Sequence, residues 1–403
     1  MSQIRFIHTA DLHLDSPFAG LSHLPDYLVK ALRESPFRAF QNIIETAIAQ
    51  KVDFIIIAGD LFDGENRNLR TQVRFRSEME RLDRAGIEVY IIHGNHDHLN
   101  GSWIQLELPK NVTVFGGKTD VKVYTKQDGT MASLYGFSYQ QRHVTERMID
   151  TYRKTASEGY HIGLLHGCLE GVSGHSPYAP FTIKDLVEKD FNYWALGHIH
   201  KRQVISELPL AIYPGNIQGR NRKESGPKGC FLITMENRTI SKNFIESAEF
   251  IWDTVVIPIR EQASFDEILT STRDVIEHRK QAGSKLLLEL ELELSSLEPS
   301  LISLQLLDDL LAILQDEAEQ IESLCWPYKI KIANHQELVL THTETPFTSE
   351  LLALAEGFTD FEGALQSLYK HPGARRYLDV LDEEERKGLL EESRQMLFQL
   401  FKT

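Results

Sequence analysis

Phe54-Ile55-Ile56-Ile57-Ala58-Gly59-Asp60-Leu61-Phe62-Asp63 is an apolar run that stops at a glycine and an acid. Its first five residues show no polar alternation, the pattern of a strand buried on both faces. Upstream, residues 37–50 space their apolar side chains for a helix, and residues 4–9 form a short β-prone run. Downstream, residues 69–85 read as a helix with a basic face, and residues 87–93 as another strand. Strand and helix patterns in alternation predict an α/β layered core.

Working outward, shorter β-like runs fill residues 112–137, with turns at Gly116-Gly117 and Asp128-Gly129. A helix is expected over 144–156, and strands over 161–165, 193–196, 210–213, 230–235 and 239–244. The whole reads as a β-sandwich flanked by helices, spanning residues 1–255. Strand 254–259, helix 265–281, strand 286–294, helix 301–321 and strand 328–332 then suggest a small α+β module over 256–340. Residues 341–403 read as helical, with a break at His371-Pro372-Gly373. A last helix starts near Leu381-Asp382-Glu383-Glu384-Glu385, where the acids suit its positive end.

At 403 residues the chain is long for a single core, and its 42% hydrophobic and 25% charged side chains are those of an ordinary soluble protein. No apolar run approaches a membrane span. His8 and Asp11 stand where a secretory leader would carry its apolar core, so a cytoplasmic location is expected. Cys168, Cys230 and Cys325 are too few and too scattered for a disulfide framework, and read as buried thiols. Residues 1–250 are electrically balanced, whereas 251–403 carry 14 basic against 29 acidic side chains, the whole of the net charge of −15. The acidic total therefore does not exclude a nucleic-acid partner for the first part.

Chemistry-bearing residues gather in five short segments: Asp11-Leu12-His13, Gly59-Asp60, Gly94-Asn95-His96-Asp97, His166-Gly167 and Gly197-His198-Ile199-His200. Each follows an apolar run, and residues just past strand ends converge on one rim of an α/β sheet. Carboxylates, imidazoles and one amide oxygen, with no thiolate, suit Mn²⁺, Fe or Zn²⁺ better than Ca²⁺ or a soft metal, and Mn²⁺ is the expected one of the three. One carboxylate can bridge two divalent metal ions roughly 3.5–4 Å apart. Taken singly, each segment has a plainer reading as a turn or a capped loop. The five in this order point to a metal site.

In that order the segments resemble the signature of the calcineurin-like metallophosphoesterases, D-x-H, G-D, G-N-H-D/E, H and G-H-x-H, over about residues 1–255. Thr9-Ala10-Asp11-Leu12-His13-Leu14, Gly59-Asp60-Leu61-Phe62-Asp63 and Tyr213-Pro214-Gly215-Asn216 further resemble the SbcD-type DNA-repair exonuclease subunits. The resemblance implies one metal on Asp11, His13, Asp60 and His200, and a second on Asp60, Asn95, His166 and His198, with Asp60 bridging. It implies that His96 stabilises the transition state or protonates the leaving oxygen, with Asp97 orienting it. It implies a metal-activated hydroxide attacking phosphorus in line. Some relatives have histidine where Asp63 stands, so a contact made by that histidine does not carry over.

For a DNA substrate the candidates are Arg67, Arg70 and Arg74, followed by Arg76, Arg81 and Arg84, and then Asn216, Arg220 and Arg222 with Lys223 and Lys228. Beside Glu78, Glu80 and Asp83, the first group is equally an ion-paired helix face. Phe18, Trp103 and Tyr139 could stack on bases or simply fill the core. In its order of elements, 256–340 resembles the capping domain of these nucleases. Residues 341–403, through Phe358, Phe361, Leu365, Leu368, Tyr369, Met396, Leu397, Leu400 and Phe401, would correspond to helices that bind an SbcC-like coiled-coil ATPase. A homodimer is typical of the resembled enzymes. Two other functions stay open at this level: a phosphoesterase for small nucleotides, and a non-catalytic scaffold that binds DNA ends.

Overall fold

The computed structural model describes residues 3–280 except 17, 19–23, 65–67, 102, 103, 105, 156, 157, 172–177, 238, 261 and 262. Beyond these it describes 285–294, 304–319, 325–333, 350, 354, 358–371, 386, 389, 390 and 393. Two six-stranded sheets lie among the described residues. In the first, β1 (Gln3–Thr9), β2 (Phe54–Ala58), β3 (Glu88–Ile92) and β4 (Val112–Val114) run parallel in that order.

The second sheet contains β5 (Asp120–Thr125), β6 (Met131–Gly136), β7 (Tyr160–His166), β8 (Tyr193–Gly197), β9 (Gln203–Glu207) and β10 (Leu210–Tyr213), ordered β5-β6-β7-β8-β10-β9. Its four inner strands are parallel and its two edge strands antiparallel to their neighbours. β11 (Gly229–Glu236) returns to pair antiparallel with β1, and β12 (Thr239–Glu246) lies outside it.

Alternation along the buried strands divides the core. Ile7, Ile55, Ile57, Val89 and Ile91 face α1 (Asp26–Gln50) and α2 (Leu69–Arg84). Phe6, Phe54, Ile56 and Ile92 point the other way, onto Ile162, Leu164, Tyr193 and Ala195 of the second sheet. The outer face of that sheet is closed by Tyr135, Phe137, Tyr152, Phe181 and Trp194, and by α3 (Ile183–Glu188).

Three elements depart from the sequence expectations. Helix α1 begins at Asp26 rather than at 37 and continues through Pro36. Proline supplies no N–H to the carbonyl four residues earlier, and the Ser35 hydroxyl donates to that Leu32 carbonyl at 2.7 Å instead. The helix expected over 144–156 is only a 3₁₀ turn, Met148–Thr151. There the Val144 carbonyl accepts from Ala179 N at 2.7 Å, and the buried Tyr152 donates to the Leu164 carbonyl, so long-range bonds replace helical ones. Strand β9 and helix α3 were not expected, although α3 carries a capping box in which Thr182 and Asp185 exchange bonds.

A smaller sheet follows, with β13 (Phe250–Ile259), α4 (Phe265–Lys280), β14 (Lys285–Leu294), α5 (Leu304–Glu319) and β15 (Cys325–Ala333). β14 is central and pairs in parallel with β13, from Phe250↔Lys285 to Ile259↔Leu294. Residue 255 thus falls within β13. Phe250, Trp252, Leu287 and Trp326 pack onto Phe18, Leu28 and Leu32, tying this sheet to α1.

The chain divides into two compact units, Met1–Lys331 and Ile332–Thr403. Within the second, α6 (Phe361–Lys370) is capped by Asp360, which accepts from Gly363 N, and ends at His371. Phe361 is buried there, while Phe358 and Leu368 are exposed. Met396, Leu397, Leu400, Phe401 and the expected helix start at 381–385 lie outside the described residues, as do Arg67 and Trp103. All three cysteines are buried thiols, and no described helix is long and apolar enough to cross a membrane.

Candidate metal centre

Parallel strands deliver the donors. Asp11 and His13 follow β1, Asp60 follows β2, Asn95 follows β3, His166 ends β7, and His198 and His200 follow β8. The chain leaves these strands through left-handed backbone at Asp11 (φ 51°), His13 (φ 43°), Asp60 (φ 51°) and His198 (φ 100°). Such conformations are costly for residues with a side chain and persist only where surroundings enforce them. Here the loops after β1 and β2 are joined by bonds from Asp11 N to Gly59 O, His13 N to Asp60 O and Leu14 N to Leu61 O, at 3.0, 3.1 and 3.1 Å. The His198 amide donates to both Asp11 oxygens, at 3.0 and 3.2 Å, linking the rims of the two sheets. At Gly94 a Cβ would collide with Asp60 Oδ1 and the His166 ring, so close approach demands glycine.

All seven expected ligands are brought to this rim. Donor atoms of Asp11, His13 and His200 lie within 4.8 Å of one another, as do those of Asp11, Asp60 and His166. Asp60 Oδ2 stands 3.4 Å from His166 Nε2 and 3.9 Å from His13 Nε2, between the groups. Asn95 Oδ1 is 3.1 Å from His166 Nε2, and the His198 ring meets the His166 ring edge-on at 5.3 Å.

Ring orientation tests whether a cation fits. His13 Nδ1 lies 3.0 Å from Asp63 Oδ1, and His200 Nδ1 lies 2.7 Å from Glu224 Oε1 and 3.0 Å from Arg220 Nη2, so both rings turn Nδ1 toward a carboxylate. Burial first, and then Arg220, pushes the pKa of each imidazole down, so both rings are neutral. Their Nε2 atoms face each other at 3.1 Å beside Asp60. With a carboxylate at Nδ1, both rings are set to offer Nε2 to a divalent cation. His166 donates Nδ1–H to the Ala58 carbonyl at 2.9 Å and turns Nε2 toward Asn95 and Asp60; burial lowers its pKa, but Asp60 and Asp11 overcome this and raise it to about 9. The residues thus fit divalent cations.

The acids of the rim attract positive charge. Burial drives the Asp60 carboxyl upward, but His166 and His96, each with a pKa raised to about 9, outweigh it and leave the pKa well below the ordinary value. Burial lowers the His96 pKa, yet Asp60 and Asp63 overcome it and raise it to about 9. His96 N donates to Asp60 Oδ1 at 3.0 Å, its Nδ1 is 3.2 Å from Asp63 Oδ1, and its side chain is 32% exposed.

The carboxylate facing His96 is thus Asp63, which corrects the expectation that Asp97 orients it. Asp97 is buried and accepts from Gly94 N at 2.7 Å and Leu61 N at 2.9 Å, with His93 Nδ1 at 2.8 Å. It locks the turn carrying Asn95 onto the loop carrying Asp60.

The residues expected to meet substrate divide. Arg74 pairs with Glu34 at 2.8 Å and covers the Phe37 ring, Arg76 lies 3.7 Å from Glu80, and Arg81 lies 2.6 Å from Glu78. This is the ion-paired helix face. Arg70 and Arg222 are exposed. Asn216 and Arg220 turn inward to Glu224. Phe18 and Tyr139 are buried, the latter donating to the His166 carbonyl at 2.7 Å. Sequence reasoning missed Glu224 and His93, for which a single chain offers no signal, and gave Asp63 no role of its own.

Known proteins are similar to this chain. The family profile of the calcineurin-like phosphoesterases matches residues 4–202. The chain is 39% identical over 400 residues, 98% of either chain, to a Bacillus subtilis (strain 168) protein named uncharacterized metallophosphoesterase YhaO. It is 25% identical to the DNA double-strand break repair protein Mre11 of Methanosarcina mazei, over 68% of this chain and 43% of that one. It is 24% identical to a subunit of the nuclease SbcCD of Escherichia coli (strain K12), over 58% of this chain and 66% of that one. With donors on one rim, a matching profile and a full-length relative, the chain belongs to the calcineurin-like phosphoesterases.

Proposed function

We propose that this chain is a two-metal phosphodiesterase acting on DNA, a repair exonuclease of the SbcD kind working in the cytoplasm. The observation that carries the reading is the convergence of Asp11, His13, Asp60, His166 and His200 donor atoms on one rim, with the Nε2 atoms of His13 and His200 facing each other beside Asp60. Asp11, His13, Asp60 and His200 would hold one cation, and Asp60, Asn95, His166 and His198 the other, with Mn²⁺ the favoured metal. Bound there, the pair supplies Lewis acidity toward phosphate and eases deprotonation of water.

The side chains supply the rest. With Nδ1 3.2 Å from Asp63, His96 would offer its Nε2 proton to a departing sugar oxygen. DNA is favoured because two relatives are named for break repair and for a nuclease, and because a further sheet and helices extend past the catalytic fold. On this reading residues 1–255 cut, 256–340 cap, and 341–403 offer Phe358 and Leu368 to an SbcC-like coiled-coil ATPase, with Arg70 and Arg222 near the phosphate backbone. A homodimer accords with the resembled enzymes.

The test compares Mn²⁺-dependent hydrolysis of linear duplex DNA with that of bis-p-nitrophenyl phosphate, alongside metal content. Cleavage of both is expected. Hydrolysis of the small ester alone would replace DNA with small phosphodiesters, and absence of bound metal would leave a scaffold.

A further inference from the structure

Behind the donors lies a second set of charges with a defined geometry. Asp63 Oδ1 receives three groups at once: His13 Nδ1 at 3.0 Å, His96 Nδ1 at 3.2 Å and Arg220 Nη1 at 3.4 Å. Glu224 is equally crowded. Its Oε1 takes His200 Nδ1 at 2.7 Å and Arg220 Nη2 at 3.0 Å, that Nη2 also standing 3.0 Å from His200 Nδ1, while Oε2 takes Asn216 Nδ2 and Arg220 N, each at 2.7 Å. The guanidinium and the amides donate, and a carboxylate accepts at both ends. One guanidinium therefore ties together the two acids that orient three imidazoles of the rim.

We infer that Arg220, with Asp63 and Glu224, is a positioning clamp that holds His13, His96 and His200 with Nδ1 turned toward a carboxylate, so that each presents Nε2 to the reaction. The clamp rests on the proposal that the rim binds two cations, and it deepens that proposal by assigning Arg220 and Asn216 to the protein rather than to DNA. It is not itself a metal site. Asp63, His13 and His96 have donor atoms within 4.8 Å of one another, but the Arg220 guanidinium already neutralises the only acid among them. Arginine suits the position because its planar fork reaches two carboxylates, whereas an ammonium is a point charge. The left-handed backbone at His13 makes the clamp useful, because a strained loop does not by itself fix the orientation of its ring.

The clamp acts unevenly, and that provides the test. His13 and His200 belong to one proposed cation site, whereas His166 is oriented independently by the Ala58 carbonyl. In the full chain, equilibrium dialysis against Mn²⁺ should show two bound ions. Glu224→Gln, nearly isosteric, places an amide N–H₂ against donors and should weaken one of the two roughly 10- to 100-fold, leaving the other within about threefold. Arg220→Lys should reproduce that split rather than restore the wild-type affinity. In the zinc-loaded protein, ¹⁵N-histidine spectra should show the His200 Nδ1–H bond lost in Glu224→Gln while His166 is unchanged.

Equal weakening at both sites would show a general structural role and overturn the clamp, as would unchanged affinity or full rescue by lysine. If Glu224→Gln does not fold, Asp63→Asn, which disturbs His13 on the same cation, carries the same comparison. A wild-type chain that binds no Mn²⁺ would remove the two-metal proposal itself, an outcome distinct from two ions bound with no split.

Discussion

Acidification from about pH 8 to about pH 4 probes a single buried imidazole, His8, which ties the two sheets together beneath the donors. His8 lies in β1, fully buried; its Nε2–H donates to the Leu196 carbonyl at 3.2 Å and its Nδ1 accepts from the Tyr193 hydroxyl at 2.8 Å, both on β8. Burial, only partly opposed by the Leu196 bond, pushes its pKa from the ordinary 6.5 down to about 3. Between those values the unfolded chain binds a proton that the folded chain refuses. Stability therefore falls as the pH falls through 6.5, and the loss levels off near 3.

At about 1.4 kcal/mol per unit, the window is worth about 5 kcal/mol, of which roughly 3 kcal/mol is lost by pH 4. Urea unfolding of metal-free wild type and His8→Gln across this range measures it, provided the slopes agree. Glutamine keeps a donor and an acceptor but does not titrate, and its own cost of about 1–3 kcal/mol applies at every pH. Other acids and histidines are common to both chains and cancel in the difference. Wild type should lose about 3 kcal/mol more than the variant on acidification. Parallel curves would refute the reasoning, showing that His8 is hydrated or already charged.

Three further outcomes are expected. His96→Ala should keep its metals and lose about two to four orders of magnitude in turnover, checked by metal content and steady-state kinetics. Gly94→Ala should push Asp60 away from His166 and cost on the order of 100-fold in activity with the far-ultraviolet spectrum unchanged. Chelation should lower the unfolding midpoint, because each cation present at about 100 times its Kd contributes about 2.7 kcal/mol, and re-addition of Mn²⁺ should restore it.

The strands were legible because they are buried on both faces. Phe54–Ala58 has the same bounds in sequence and structure, and the residues after it and its neighbours reach one rim because parallel strands end together. Helix α1 was read only from residue 37, yet it runs on through Pro36 from Asp26, because a hydroxyl one residue away satisfies the carbonyl that the proline orphans. The 144–156 segment has helical spacing, but its Val144 carbonyl and Tyr152 hydroxyl bond to distant backbone that no local pattern reveals. The partner of His96 differs from the one that the resemblance implied: Asp97 turns to Gly94, Leu61 and His93, whereas Asp63 arrives from another loop, which no local pattern reveals. Glu224 is 24 residues from His200, in a segment whose basic composition suggests a phosphate track rather than a carboxylate held inside it.

The centre also constrains how the molecule holds together. Asp11, His13, Asp60 and Asn95 belong to the first sheet, and His166, His198 and His200 to the second. Neither sheet has a complete ligand set for either proposed cation, so a bound pair is a cross-link between them. Cross-sheet bonds from His198 N to Asp11, and from His8 to Tyr193 and Leu196, set the spacing before any cation arrives. A shift of one sheet against the other by about 1 Å would misplace donors by a distance that costs on the order of 100-fold in rate. Core substitutions between the sheets, at Phe6 or Leu164, therefore act on chemistry through the same contacts by which they act on stability.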